Sequence, residues 1–285
     1  MSIWWEGKEM SRLLSADFAR LFKNKYFWIC SIFIAGFGVF MQVMNYVSCV
    51  SNNTVPHPDT IFFSFSLLTG ILLSAFISLF IGTDYSDGTM RSKLVIGHTR
   101  YGIYLSGLIT CTAAGLLMCL SCLIASLASG LPLSGFFESD IRLVISTALG
   151  IAVMTAAFSS ICTLTAMLCQ NRAVTAVVNI LLVFFLLFAA VYIRARLDEP
   201  KTYPAYVYVQ DGAVQSDEEV PNPSYLSGTT REIYQFLNDF LPGGQAVQYT
   251  NMEAENIPLL AVYSAGITVA AAGAGMCMFR RKDIK

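Results

Sequence analysis

Six stretches of this 285-residue chain, 27–47, 61–82, 103–131, 143–168, 173–193 and 257–279, contain no Asp, Glu, Lys, Arg or His. About 20 apolar residues in a helix cross the hydrocarbon core of a bilayer. Inside lipid the backbone must satisfy its own hydrogen bonds, so runs of this kind fold as helices. The expected fold class is therefore all-α, a polytopic membrane protein with six transmembrane helices forming one domain over 1–285. With 55% hydrophobic against 13% charged residues, little chain is left for a soluble domain. The run 103–131 exceeds one bilayer width, so it tilts or projects, and Gly130 and Pro132 are expected to close it.

The segments between the runs carry the remaining signals. Residues 2–25 are too charged to span, yet Met10, Leu14, Phe18, Leu21 and Phe22 recur at helical spacing opposite Arg12 and Lys23, which predicts an interfacial amphipathic helix. Trp4 and Trp5 suit the interfacial belt, and no cleaved signal peptide is expected, because no small-residue cleavage site follows. The 51–59 segment is loop chemistry, and His57 there reads as solvated. In the compact polar loop 84–101, Thr89 is expected to cap a two-turn helix from Met90, Gly97 to stop it and Thr99 to start the next. Met90 and Leu94 are four apart, so they form one apolar ridge suited to a groove on another protein, with Arg91 and Lys93 pointing elsewhere. The longest polar segment, 194–256, is expected to be partly folded. Asp211-Gly212 between Tyr206–Gln210 and Ala213–Gln215 signals a hairpin, and Thr229 with Glu232 reads as a capping box before Ile233, Phe236, Leu237 and Phe240.

Charge decides the expected orientation. With the amino terminus inside, five basic residues precede the first span, three lie in the 84–101 loop, one is Arg172 and four follow the last span, thirteen of the eighteen. The acidic residues divide six inside and thirteen outside. This basic bias is the positive-inside pattern and places both termini and the 84–101 loop in the cytoplasm.

Several chemistries are disfavoured. Ion-coupled transport needs an acidic, basic or histidine side chain at membrane depth, and intramembrane hydrolysis a His, Asp or Glu to activate Ser or a metal; the six runs have none of these. Seven of the eight cysteines sit in or at the ends of apolar runs and read as packing residues, Cys119 and Cys122 included, while Cys49 lies beside an outer loop. There is no phosphate-binding G-x-x-x-x-G-K-[ST] loop. Leu241-Pro242-Gly243-Gly244-Gln245 superficially resembles the Leu-Ser-Gly-Gly-Gln signature of ATP-binding-cassette ATPases, but Pro replaces the Ser and the segment falls outside, so it reads as a helix stop and loop. The pairs Gly36 and Gly38, Gly107 and Gly115, and Ala271 with Gly273 and Gly275 permit close helix contacts, within one subunit or between two.

Tyr85-Ser86-Asp87-Gly88-Thr89-Met90-Arg91-Ser92-Lys93-Leu94, followed by Gly97, Arg100 and Ile103-Tyr104-Leu105-Ser106, resembles the first cytoplasmic loop of type-2 ATP-binding-cassette (ABC) transporter permeases. Phe240-Leu-Pro-Gly-Gly-Gln245-Ala is similar to the end of their large fifth-to-sixth loop. The resemblance implies the permease subunit of an ATP-driven exporter, with 84–101 as a coupling loop in which Asp87, Gly88, Thr89, Met90, Arg91, Lys93, Leu94, Gly97 and Arg100 engage the motor. It implies an outer gate drawn from Ile233, Phe236, Leu237, Phe240, Pro242 and Gly243. The implied partners are two copies of an ABC ATPase subunit, a second permease copy or a paralogous one, and membrane lipid, with no nucleic acid. No catalytic residue, metal or cofactor is expected in this chain; ATP and Mg belong to the ATPase. The implied location is the bacterial cytoplasmic (plasma) membrane. An amphipathic cargo fits the apolar spans: an antimicrobial peptide, with resistance as the outcome, or a drug or lipid-like molecule. Ten acidic against four basic residues over 194–256 favour a cationic peptide. The alternatives are a non-transporting sensor or scaffold partner of an ATPase, and a secondary transporter.

Overall fold

Each uncharged run folds as one long helix, save that 61–64 form turns ahead of the helix that begins at Phe65, because in lipid the backbone has no hydrogen-bond partner but itself. The computed structural model describes residues 2–59, 61–204, 207–210, 213–216 and 219–282, with the backbone alone for 2–9, 204, 207–210 and 213–216. In chain order the helices are α1 (Ser2–Lys23), α2 (Lys25–Ser51), α3 (Phe65–Ser86), α4 (Thr89–Val95), α5 (Arg100–Ser134), α6 (Ile141–Cys169) and α7 (Arg172–Leu197). Four short strands follow, β1 (Thr202–Pro204), β2 (Val207–Gln210), β3 (Ala213–Ser216) and β4 (Glu219–Pro221), and then α8 (Thr229–Phe240), α9 (Pro242–Thr250) and α10 (Ile257–Arg281). Helices α2, α3, α5, α6, α7 and α10 are long and apolar enough to cross a membrane, so the architecture is that of an all-α polytopic membrane protein.

The spans are not equivalent. Two thirds of the most apolar window of α3 is buried, against 28% for α2, 22% for α7 and 11% for α10, so α3 forms the core and the other three form its rim. Helix α3 packs on α2, α5, α6, α7 and α9. The rim helices turn Ile32 and Phe33, Leu181, Phe185 and Phe188, and Val262 and Val269 outward, a surface suited to lipid.

Small residues let the backbones meet. A Cβ on Gly115 would press on Leu73 and Thr155, one on Gly38 on Cys122 and Ser126, and one on Gly275 would overlap the Tyr104 ring. Gly38, Gly107, Gly115 and Gly275 are therefore used within the chain, while Gly36 and Gly273 meet nothing. Polar pins add direction to this packing: the Asn179 Nδ2 on α7 donates to Ser78 Oγ on α3 at 2.9 Å and to the Cys162 carbonyl on α6 at 3.2 Å, and Thr165 donates to Asn179 Oδ1. Such bonds contribute about 0.6 kcal/mol each in lipid, so their main effect is to fix which faces meet.

Several local expectations are corrected. Helix α5 runs straight through Gly130 and Pro132 and stops at Gly135, whose φ of +78° ends it. Gly130 instead admits the Gln42 side chain of α2. Thr229 is the first residue of α8 and not its cap; Gly228, with φ +60°, occupies that position. The hairpin forms as β2 paired antiparallel with β3, register Gln210 to Ala213, while Tyr206 and the turn residues Asp211 and Gly212 lie outside the described residues. The side chains of Trp4 and Trp5 also lie outside them.

The largest correction concerns Leu241–Gln245. Leu241, extended at ψ 132°, breaks the chain between α8 and α9, and Pro242 then starts a new helix rather than a loop. Helix α9 is almost wholly buried, packed against α3, α6, α7 and α8. It enters because Gly243 lies on the Leu186 carbonyl and Gly244 on the Asn238 carbonyl, where no Cβ fits. Apart from the Tyr249 hydroxyl, which has no partner among the described residues, its polar groups are met on arrival: Ser66 Oγ donates to the Ala246 carbonyl at 2.7 Å, and Gln245 Nε2 to the Asp239 and Leu260 carbonyls at 2.8 and 3.1 Å. Gly243→Ala should lower stability by about 1–3 kcal/mol through overpacking. Gly266→Ala, at an open position on α10, should be neutral or stabilising by up to about 1 kcal/mol. Thermal unfolding of the detergent-purified chain checks both.

Candidate functional site

Helix α4 has only seven residues, too short to persist alone, so its neighbours must hold it. Gly88, at φ +71°, turns the chain sharply out of α3, and no side chain caps α4, which begins at Thr89. Gly97, at φ +105°, ends it as expected, with Gly97 N donating to the Leu94 carbonyl at 3.0 Å and His98 N to the Lys93 carbonyl at 3.2 Å. Thr99 then caps α5 by accepting from Gly102 N.

The ridge of Met90 and Leu94 faces inward. Met90 is buried in the chain's own core and Leu94 packs half-buried against it, which overturns the expectation that this ridge is presented to a partner. An apolar pair on a short helix is buried by the nearest available surface, and the ends of the spans supply one. The side chains left outward are Arg91, Ser92, Val95 and Ile96, the apolar pair 87% and 76% exposed.

Lys93 also points inward, contrary to expectation. Its Nζ donates to Asp17 Oδ1 of α1 at 2.8 Å and stands 3.6 Å from Asp84 Oδ2 at the end of α3. Arg20 of α1 pairs with the other oxygen of Asp84 and lies over the Phe80 ring at 3.9 Å. Asp17 Oδ2 accepts from Ser106 Oγ of α5 at 2.6 Å. Both carboxylates are almost fully buried. Burial pulls the Lys93 ammonium and the Arg20 guanidinium below their ordinary ranges, while the Asp17 charge draws each back up. Two acids and two bases on α1, α3 and α4, with Ser106 of α5, thus join four helices in one balanced cluster.

Other ties gather the same end of the bundle. Arg100, in the first turn of α5, donates from Nη1 to the Phe279 and Arg280 carbonyls at 3.3 Å each and also to that of Lys282, a cation on the carbonyl end of α10. Tyr85 Oη donates to the Met167 carbonyl at the end of α6. Of the residues expected to act here, Asp87 and Arg91 are exposed, Gly88 and Gly97 set turns, Thr89 and Met90 form the root of α4, and Lys93, Leu94 and Arg100 are internal fastenings.

Sequence reasoning passed over Asp17, Arg20 and Asp84. The signal for Asp17 was present, since it sits four residues from both Leu13 and Leu21, inside the buried stripe of α1. That stripe packs against α5, so α1 rests on protein as well as on any lipid.

The residues expected at the far end separate into two groups. Ile233 and Phe236 are half-exposed on α8, where the Phe236 and Phe240 rings stack at 5.5 Å and both meet Tyr263 of α10 edge-on. Leu237 is half-buried, and Pro242 and Gly243 are buried in α9.

Asp84→Asn should leave Arg20 and Lys93 short of a carboxylate and cost about 3 kcal/mol. Arg20→Met combined with Asp84→Leu removes that whole pair and should recover most of the loss, read from thermal unfolding midpoints. Compared with protein-family models and with curated proteins, the chain matches none of them.

Proposed function

We propose that this chain is the permease subunit of an ATP-driven exporter of amphipathic cargo, with α4 as the part that receives force from separate ATPase subunits on the cytoplasmic side. The observation that carries the reading is the build of α4: its root, Met90 and Lys93, is buried and charge-paired to α1 and α3, while its tip, Val95 and Ile96, stands bare. A surface loop that only fixed topology would need neither a buried anchor nor an exposed apolar pair beside Arg91. Exposed apolar groups next to a cation suit a protein partner. The anchor makes α4 a lever, since a push on the tip acts on Asp17, Asp84 and Ser106 and so on α1, α3 and α5 together.

The thirteen basic residues on the α4 side support a cytoplasmic placement of that end and of both termini. In this reading α8 and α9 form the outer gate. Helix α9 is packed on α3, α6 and α7 through small residues, so a shift of the spans reaches it directly, and Phe236 and Phe240 with Tyr263 hold α8 against α10. The energy source lies in a partner, because a coupled ion would need a charge within the apolar cores of the spans, which hold no Asp, Glu, Lys, Arg or His. Export then switches the spans between two packings, with ATP binding to the motor biasing the choice.

Val95→Asp with Ile96→Asp should abolish co-purification with a co-expressed ABC ATPase subunit and reduce ATP-dependent export at least tenfold; unchanged export would overturn the reading. In intact cells, a membrane-impermeant maleimide should label Glu219→Cys and leave Val95→Cys unlabelled until the cells are opened. The reverse pattern would invert the proposed orientation.

A further inference from the structure

At the end of the bundle opposite α4, the tips of α7, α8, α9 and α10 enclose a cavity of about 660 Å³. Its walls carry four carboxylates, Asp198, Asp239, Glu253 and Glu255, against two cations, Arg194 and Arg231. Arg194 is already engaged, pairing with Asp198 at 3.0 Å and with Glu253 at 2.6 Å. Arg231 leans over the Tyr225 ring, 5.3 Å from its centre, and its Nη1 has no hydrogen-bond partner among the described residues. Asp239 and Glu255 are therefore left without an ion pair among the described residues.

Asn238 supplies the second, independent observation. It lines the same cavity at only 5% exposure, and its Oδ1 has no hydrogen-bond donor among the described residues. A buried amide oxygen left unmade costs about 1–3 kcal/mol, which is an expense that a bound donor removes. We propose that this cavity binds a primary ammonium group, held by the Asn238 amide oxygen and the carboxylates of Asp239 and Glu255.

The chemistry matches in number and sign. An ammonium offers three donors and no acceptor, and this wall offers three acceptors and a net negative charge. Burial pushes the Asp239 carboxyl above its ordinary range; the Gln248 amide, donating at 3.0 Å, opposes this, and Glu255 adds like-charge repulsion. A cation between the two carboxylates relieves that repulsion. Among the described residues no group of three His, Cys, Asp or Glu is placed to hold a metal ion, which favours an organic cation. Leu259, 37% exposed on the cavity wall, gives an attached apolar chain a place to lie. A trimethylated ammonium carries the same charge without donors, so the site should reject it.

Two sources can present this group: a soluble amine, such as the amino terminus or a lysine of a peptide, and the headgroup of an aminophospholipid. The inference goes beyond the exporter reading and does not rest on it, because no ATPase enters the test. The full chain in phosphatidylcholine nanodiscs, which contain no primary amine, is titrated calorimetrically with hexylamine and with hexyltrimethylammonium. Hexylamine should bind at least tenfold more tightly, and Asp239→Asn with Glu255→Gln should weaken it at least tenfold. Glu255→Gln alone changes an exposed side chain and should weaken it at least threefold with an unaltered melting temperature. Absent hexylamine binding, equal affinity for the two probes, or an undiminished affinity in a folded variant overturns the proposal; the two-probe comparison on the unaltered chain decides even if the double variant does not fold. Adding phosphatidylethanolamine to the discs then separates the sources: a fall in hexylamine affinity identifies the lipid headgroup as ligand, and an unchanged affinity identifies a soluble amine.

Discussion

A charge taken out of water must find its opposite, and in this chain that requirement is met where α1, α3, α4 and α5 come together. Asp17 and Asp84 are both buried, and each can be so only because Lys93 and Arg20 reach them, with Ser106 occupying a further oxygen of Asp17. Three otherwise unrelated pieces are fixed by this. Helix α1, too polar to enter a bilayer, is held against α5; α4, too short to be stable alone, acquires a root; and the end of α3, the most buried span, is tied to both. None of these contacts contributes much beyond what its desolvation costs, so their value lies in geometry: the four groups satisfy one another in one arrangement and in few others.

The opposite end is governed by shape. Helix α9 can sit among α3, α6 and α7 because Gly243 and Gly244 bring its backbone onto the Leu186 and Asn238 carbonyls, and because Ser66 and Gln245 satisfy polar groups that lipid would leave bare. The two ends are linked through α3, which begins beside α9 at Ser66 and finishes at Asp84 in the charge cluster. A helix buried over two thirds of its most apolar window and tied at both ends is the physical basis for the proposal that a displacement at α4 reaches α8 and α9.

Legibility in the sequence followed the range of the interaction. The six spans were readable because each depends on a run of some twenty residues and on nothing outside it. The stop at Gly97 and the cap at Thr99 were readable because turn and cap chemistry is local. Caps were misjudged by one position at Thr89 and Thr229, where a preceding glycine in a left-handed conformation took the role. The direction of the Met90 and Leu94 ridge was not readable, because spacing shows that two residues share a face without showing which surface covers it. Leu241–Gln245 looked like a loop because Pro-Gly-Gly opposes a helix in isolation, and only a tight site among three spans repays those residues.

The sequence by itself determined that this chain forms six helices long and apolar enough to cross a membrane, that its basic residues fall mostly in alternate connecting segments, and that the apolar cores of its spans hold no charge, since each depends on composition along a continuous stretch. The tertiary structure alone decided that Asp17, Arg20, Asp84 and Lys93 share one buried cluster and that Val95 and Ile96, rather than Met90 and Leu94, face outward. It alone brought Asn238, Asp239 and Glu255 to one cavity wall. Lys93 lies 76 residues from Asp17 along the chain, and a pairing at that distance is fixed by how helices pack, which no local pattern records.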